Sequence, residues 1–211
     1  MKPKRIILVR HGESESNADW DKNETIPDYA IKLTSKGADQ ARQAGENIKQ
    51  IIGDETLHVY LSPYARTRET WQNIRLNLEE NVVKAIEDPR LREQDWGHLE
   101  KHDEINTISE ERDQYGHFYY RIPHGESGAD VYDRVSTFLE TLHRDFVQSD
   151  YPQNMLIVTH GMTLRLFLMR WFHWTVEEFE EYRNPHNCQV VVMEQNAHGR
   201  YKIITELAKI N

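Results

Sequence analysis

The feature that most constrains this chain is the stretch Arg5 to Arg10, RIILVR, with the loop His11-Gly12-Glu13-Ser14-Glu15-Ser16-Asn17 that follows it. Ile6, Ile7, Leu8 and Val9 form an unbroken apolar run rich in β-branched residues. Such a strand is expected near the middle of a sheet covered on both faces, as in α/β proteins with helices on either side. Ligand crevices in open α/β sheets lie at the carboxyl ends of the strands. Arg10 and His11 are therefore expected at the rim of a crevice, and Gly12 lets the backbone turn sharply and approach a ligand closely. The pattern repeats late in the chain, where Met155-Leu156-Ile157-Val158 runs into Thr159-His160-Gly161. The helix expected from Thr163 to Phe172 is apolar on most sides and should be buried. Its N-terminus directly follows His160 and favours a bound anion.

The residues between and after these strands read as alternating helices and strands. Asp19 to Tyr29 is polar, contains Pro27 and is expected to be a surface loop. A helix should start at Thr34 or Ser35, either of which can cap it. Ala38, Ala41, Ala44, Ile48 and Ile52 recur at helical spacing, and Gly53 should end it. A strand near Leu57 to Leu61 should lead into a helix capped by Ser62, with Pro63 in its first position. A short strand is expected near Val82 to Ile86. Ser127 and Asp130 have capping-box spacing ahead of the apolar face Val131, Val135, Phe138, Leu139, Leu142 and Phe146. The tail should supply a helix near Val176 to Tyr182 and two strands, Gln189 to Glu194 and Lys202 to Glu206.

Composition narrows the function classes. The 211 residues favour one large domain over two small ones. A formal net charge of −9 argues against general nucleic-acid binding. It also means that an anionic ligand must be drawn in by a local basic cluster. No apolar stretch is long enough to cross a membrane, and the N-terminus has no signal-like region, so the expected location is cytoplasmic. A single cysteine, Cys188, excludes a disulfide framework within the chain and is read as a small hydrophobe at a strand start. His98 and His102 have metal-chelating spacing on a helix face but no convincing third ligand nearby, so a solvated face is the favoured reading and no metal is expected.

Ser62-Pro63-Tyr64-Ala65-Arg66-Thr67-Arg68-Glu69-Thr70 is the second constellation. Arg66 falls in the first helical turn, where its guanidinium and free backbone N–H groups can converge on one anion. Alone, such an arginine would more often pair with a surface carboxylate such as Glu69. Together with Arg-His-Gly-Glu at residues 10–13, Leu33-Thr34-Ser35-Lys36-Gly37 and His160-Gly161, however, this phrase resembles the phosphoglycerate mutase-like branch of the histidine phosphatase superfamily. Three further stretches, Arg92-Glu93-Gln94-Asp95-Trp96-Gly97, Tyr120-Arg121-Ile122-Pro123-His124-Gly125-Glu126-Ser127 and Asn184-Pro185-His186-Asn187, resemble its plant and fungal members.

The resemblance spans nearly the whole chain. It implies an α/β fold, a three-layer α/β/α sandwich with a mostly parallel central sheet, as one domain over residues 1–211 with a small cap at about 98–127. It implies that Arg66 and His160 hold a transferred phosphoryl group and that Glu93 donates the proton to the leaving group, with Asp95 as the alternative donor. Glu126 is placed near the pocket, although a plain capping loop explains its phrase nearly as well. Asn17, Gly161 and Glu13 complete the expected phosphate-binding set.

The residue chemistry is consistent with this. Phosphoryl transfer spreads charge over three equatorial oxygens and needs fixed cations, an in-line nucleophile and an acid. Arg10 and Arg66 offer planar forks. His11 is partly neutral near pH 7, so a ring nitrogen can attack phosphorus. The expectation is a cofactor-free phosphomonoesterase acting on a small phosphate ester through a phosphohistidine. The runner-up is a cofactor-dependent phosphoglycerate mutase, although the arginine- and proline-rich insertion of those enzymes is missing between Gly97 and Pro123. A non-catalytic phospho-ligand binding protein is the third reading. The sequence leaves the natural substrate and the oligomeric state open.

Overall fold

The computed structural model describes residues 2–19, 22–97 and 102–210. Six strands among them form one sheet: β1 (Arg5–Arg10), β2 (Leu57–Leu61), β3 (Val82–Glu87), β4 (Asn154–Thr159), β5 (Val190–Gln195) and β6 (Tyr201–Ile203), in the order β3-β2-β4-β1-β5-β6. β1, β2, β3 and β4 are parallel, and β5 and β6 are antiparallel additions at one edge. The helices are α1 (Glu15–Ala18), α2 (Lys22–Thr25), α3 (Ser35–Ile52), α4 (Ala65–Ile74), α5 (His102–Tyr115), α6 (Gly128–Asp145), α7 (Gly161–Phe172) and α8 (Val176–Glu180).

The unbroken apolar runs end up where their composition demands. Ile6 to Val9 and Met155 to Val158 are fully buried. Alternate side chains of β1 feed two cores. Ile7 and Val9 pack with Ala41, Ala44 and Ile48 of α3 and with Trp71 and Ile74 of α4 on one face. Ile6 and Leu8 pack with Val135, Phe138 and Leu142 of α6 and with Leu164 and Phe167 of α7 on the other. The result is the three-layer α/β/α arrangement with a mostly parallel sheet. Among the described residues, no helix is long and apolar enough to cross a membrane.

Local signals explain most element ends. The Thr34 hydroxyl accepts from Gly37 N–H at 3.0 Å to start α3, and Gly53 closes it at φ +57°. Ser127 and Asp130 form the reciprocal capping box that starts α6. Four expectations need correction. Within Asp19 to Tyr29, read as a loop, Lys22–Thr25 forms the short helix α2. α4 begins at Ala65 after Tyr64, with no side-chain cap, because the Ser62 hydroxyl is turned toward His160 instead. The helix after β4 starts two residues early, at Gly161. The last strand is Tyr201–Ile203, shorter and earlier than expected: beyond Ile203 the regular ladder with β5 gives way to single bonds, from Ile204 N–H to Val192 O and from Val192 N–H to the Thr205 hydroxyl.

Sheet register positions the site. Arg10 lies opposite Thr159, and Leu61 lies opposite Val158, so β1, β4 and β2 end at one level. The next residues, His11, His160 and Ser62, emerge side by side. The loop after β1 is then pinned onto the start of α3. Gly12 and Gly37 meet face to face: a Cβ on Gly12 would lie 2.4 Å from the Gly37 carbonyl oxygen, and one on Gly37 would lie 2.1 Å from that of Glu13. Gly37→Ala must therefore push the His11 loop off α3. Overpacking of this kind typically costs ~1–3 kcal/mol. Urea unfolding should show a lowered midpoint in this variant, together with loss of turnover; an unchanged midpoint would mean that the loop gives way freely.

Candidate active site

His11 is the centre of the cluster and is only 4% exposed. Its Nδ1 lies 2.7 Å from the carbonyl oxygen of Gly12. A carbonyl can only accept, so Nδ1 carries the hydrogen and Nε2 presents a lone pair. The backbone around it is held on every side. His11 N–H donates to Thr159 O, Gly12 N–H donates to the Thr70 hydroxyl, and the Asn187 amide donates to His11 O at 3.0 Å. Burial, followed by the charges of Arg66 and Arg10, lowers the His11 pKa well below the usual imidazole range.

The His160 ring is fully buried, 5.2 Å from that of His11 between centroids and edge-on to it. Its Nε2 is 2.8 Å from the Ser62 hydroxyl. That hydroxyl also accepts from Tyr64 N–H, and its own proton can be given to Nε2. In that arrangement the imidazole hydrogen sits on Nδ1, a buried atom with no partner among the described residues. Burial and then Arg66 and His11 lower this pKa well below the usual range too. Both rings are neutral at neutral pH.

Two guanidiniums flank them. Arg10 donates to Pro185 O at 2.7 Å, and its buried Nε has no partner among the described residues. Arg66, 4% exposed, packs over the Tyr64 ring and gives its end-on edge to Asp28: Nη1 to the backbone oxygen at 2.7 Å and to Oδ1 at 2.8 Å, Nη2 to Oδ2 at 3.2 Å. Among the described residues no acceptor is found for the edge formed by Nε–H and the second Nη2–H, which has the geometry to meet another bidentate acceptor. Buried donors on Arg10, Arg66 and His160 around one accessible imidazole nitrogen are what a tetrahedral oxyanion needs.

Glu93 approaches from an irregular segment. Its carboxylate accepts from Gln94 N–H at 3.0 Å and from Met162 N–H and Thr163 N–H at 3.3 Å each, while the Thr163 hydroxyl gives its one proton to Arg92 O at 2.7 Å. It is close enough to Arg10 to oppose the lowering of that group's pKa by burial. The N-terminus of α7, expected to serve a bound anion, thus holds a protein carboxylate, with Gly161 at the same end beside His160.

Residues 6–205 match the family model of the histidine phosphatase superfamily (branch 1). The chain belongs to that superfamily. A phosphoglycerate mutase-like protein of Arabidopsis thaliana is 43% identical over 95% of this chain and 77% of its own length. A broad-range acid phosphatase of Saccharomyces cerevisiae is 33% identical over 99% of this chain and 90% of its own. Among solved structures, a mycobacterial glucosyl-3-phosphoglycerate phosphatase in complex with VO3 shares the fold with a TM-score of 0.74, at 19% identity over 96% of this chain and 98% of its own. This histidine phosphatase is therefore an enzyme of the phosphoglycerate mutase-like branch.

The structure brings Arg10, His11, Arg66, Glu93, His160 and Gly161 together. Asn17 joins them indirectly: its Oδ1 accepts from Ser14 N–H and from the Asn187 amide, which leaves its NH2 as the group that can face an anion. Glu13 does not join them. Lys36 and the Thr34 hydroxyl hold its carboxylate against α3, and a second anion beside a phosphate would only repel it. Asp95 accepts from Gly97 N–H and faces solvent, which leaves Glu93 as the better-placed acid. The Cys188 thiol is buried and its pKa is pushed up to about 12 by desolvation, so it is a poor nucleophile. Its backbone N–H serves Arg10 O instead. The side chains of His98 and His102 lie outside the described residues, and no cluster of three potential metal ligands occurs among those described.

Sequence reading missed Ser62, Asp28, Pro185 and Asn187. Ser62 was visible only as a helix cap, and Asp28 only as part of a polar loop.

Burial of two neutral imidazoles has a thermodynamic consequence. In the unfolded chain both take up protons as pH falls through about 6.5, whereas in the fold they stay neutral well below that. The unfolded state then binds more protons, so stability falls as pH drops below about 6.5. The slope is at most ~1.4 kcal/mol per pH unit for each histidine, until the folded-state pKa is reached. Urea unfolding between pH 7 and pH 5 should show this fall, and His160→Asn should flatten it. Equal slopes in the two proteins would show that His160 contributes none of it.

Proposed function

We propose that the enzyme hydrolyses small phosphate monoesters through a phosphohistidine on His11. The observation that carries this reading is the Nδ1–Gly12 hydrogen bond, which leaves Nε2 of a buried, neutral ring free between Arg10, Arg66 and His160. In the first half-reaction Nε2 bonds to phosphorus as the P–O ester bond breaks, and the Glu93 proton passes to the leaving oxygen, releasing an alcohol. In the second, a water oxygen bonds to phosphorus as the N–P bond breaks. The water's proton returns to Glu93, and inorganic phosphate leaves with His11 restored. Arg10, Arg66, Nδ1–H of His160 and the amides of Gly161 and Asn17 hold the equatorial oxygens throughout. The broad-range acid phosphatase among the relatives supports hydrolysis, and so does the missing insertion between Gly97 and Pro123. The reading takes the protein as cytoplasmic and without a cofactor or metal, so chelator dialysis should leave the rate unchanged.

His11→Ala should remain folded and lose turnover, and quenching without acid should trap labelled phosphate on His11 of the parent enzyme. Wild-type-like rates in the alanine variant would remove His11 from the mechanism. With 3-phosphoglycerate, NMR should show free phosphate forming faster than 2-phosphoglycerate; the opposite order would favour a mutase.

The acid is tested separately. An alkoxide needs a proton as it leaves, and a nitrophenolate hardly does. General acid catalysis is worth typically ~10²–10⁴-fold. Glu93→Gln should slow an alkyl phosphate within that range and a nitrophenyl phosphate far less. Equal losses on the two esters would make Glu93 structural or a water-positioning group.

A further inference from the structure

The segment 92–97 that carries Glu93 is neither helix nor strand, so no regular ladder serves its backbone. Its polar groups still require partners, and side chains supply them. Arg134, on α6, has a side chain only 10% exposed. Its Nη1 donates to Arg90 O at 2.7 Å and to Arg92 O at 2.8 Å, and its Nη2 donates to Glu93 O at 3.1 Å. The same guanidinium is paired with Glu126, Nε to Oε1 at 3.1 Å and Nη2 to Oε2 at 3.0 Å. Glu126 in turn accepts from Asp95 N–H at 3.1 Å and from Arg92 Nη2 at 2.7 Å. The Glu126 backbone N–H donates to Asp95 O, and its carbonyl accepts from the Gln94 amide. Burial raises the pKa of Glu126, but the hydrogen bond and charge of Arg134 outweigh this and keep it ionised.

We infer that Arg134 and Glu126 are a positioning pair for the general acid. They fix the backbone on both sides of Glu93, so that its carboxylate meets Met162 and Thr163 at the start of α7, beside the phosphoryl site. Neither residue touches the reacting atoms. The Gly-Glu-Ser phrase then has two separate jobs: Ser127 caps α6, while Glu126 completes the clamp. A guanidinium is needed because three carbonyl oxygens and a carboxylate must be met from one plane, which a lysine ammonium cannot do.

The inference rests on Glu93 being the proton donor, and its test separates the two claims. Arg134→Lys keeps the charge and loses the fork. Glu126→Gln keeps an oxygen for Asp95 N–H and loses the ion pair, and it serves if the first variant folds poorly. The readout is the ratio of kcat/KM for an alkyl phosphate to that for a nitrophenyl phosphate. Either variant should lower this ratio by about 10- to 100-fold, a part of the ~10²–10⁴-fold that an acid supplies. In the Glu93→Gln background the same change should lower the ratio no further, because the acid it positions has gone. Equal losses on the two esters, or a full additional fall in the double variant, would make the pair a purely structural ion pair and overturn the inference. If Glu93→Gln alone leaves the ratio unchanged, the acid assignment fails, and the inference with it. If that variant lowers the ratio and Arg134→Lys does not, only the positioning claim falls.

Discussion

The structure turns on the burial of two guanidiniums beside two imidazoles at one level of a parallel sheet. Burying a cation is costly unless it is paired, and like charges placed together add to that cost. The site does not escape by keeping all four groups charged. Burial, followed by Arg66 and Arg10, lowers the pKa of His11, and burial, followed by Arg66 and His11, lowers that of His160, so the imidazoles are neutral beside the two guanidiniums. A neutral imidazole is the form that can act as a nucleophile. The burial that makes the cluster expensive is therefore also what suits His11 to the proposed attack. The rest of the fold supplies what this arrangement needs: strands that end in register, a glycine contact that docks the loop, and carbonyl oxygens that fix the tautomer of one ring and the fork of Arg10.

Asp28 shows how the cost is limited. Its carboxylate takes the end-on edge of Arg66 and is itself half-exposed, so the pair is buried on one side only. The guanidinium is held in one rotation, and the edge that remains is bidentate. Pro185 O does the corresponding job for Arg10 with a neutral acceptor. Each cation thus has one fixed partner and a remaining donor directed elsewhere, a preorganised arrangement in which little must move when charge develops on a phosphoryl group.

Much of this was legible in the sequence, and what was not had one common reason. Ile6 to Val9 and Met155 to Val158 declared buried strands because no polar residue interrupts them. Thr34, Gly53 and Ser127 declared helix ends because capping is local chemistry. The clustering of Arg10, His11, Arg66, Glu93 and His160 was reached through their motifs, which carry the family's geometry. The partners of those residues were not legible. Ser62 meets His160 across 98 positions of sequence, and Asp28 meets Arg66 across 38. Which side chains face one another at that distance is set by sheet register and loop path, and neither leaves a periodic trace. Ser62 was even assigned to the wrong bond, because a serine before a proline at a helix start has a ready local explanation. Glu13 failed for the opposite reason: it belongs to a recognisable motif, yet its side chain serves the docking of the loop on α3.

The placement of Glu93 completes the argument. Its carboxylate sits where three backbone N–H groups converge, an arrangement suited to a negative charge. The proton donor of the proposed mechanism must nevertheless hold its proton when the ester arrives. A substrate dianion placed beside a carboxylate disfavours its charged form, so in that mechanism the ester itself favours the protonated acid. The donors of α7 then hold the carboxyl group in place through both states. In the proposed cycle they receive the negative charge again once the proton has gone to the leaving oxygen, which sets the carboxylate ready to take a proton from the attacking water in the second half-reaction.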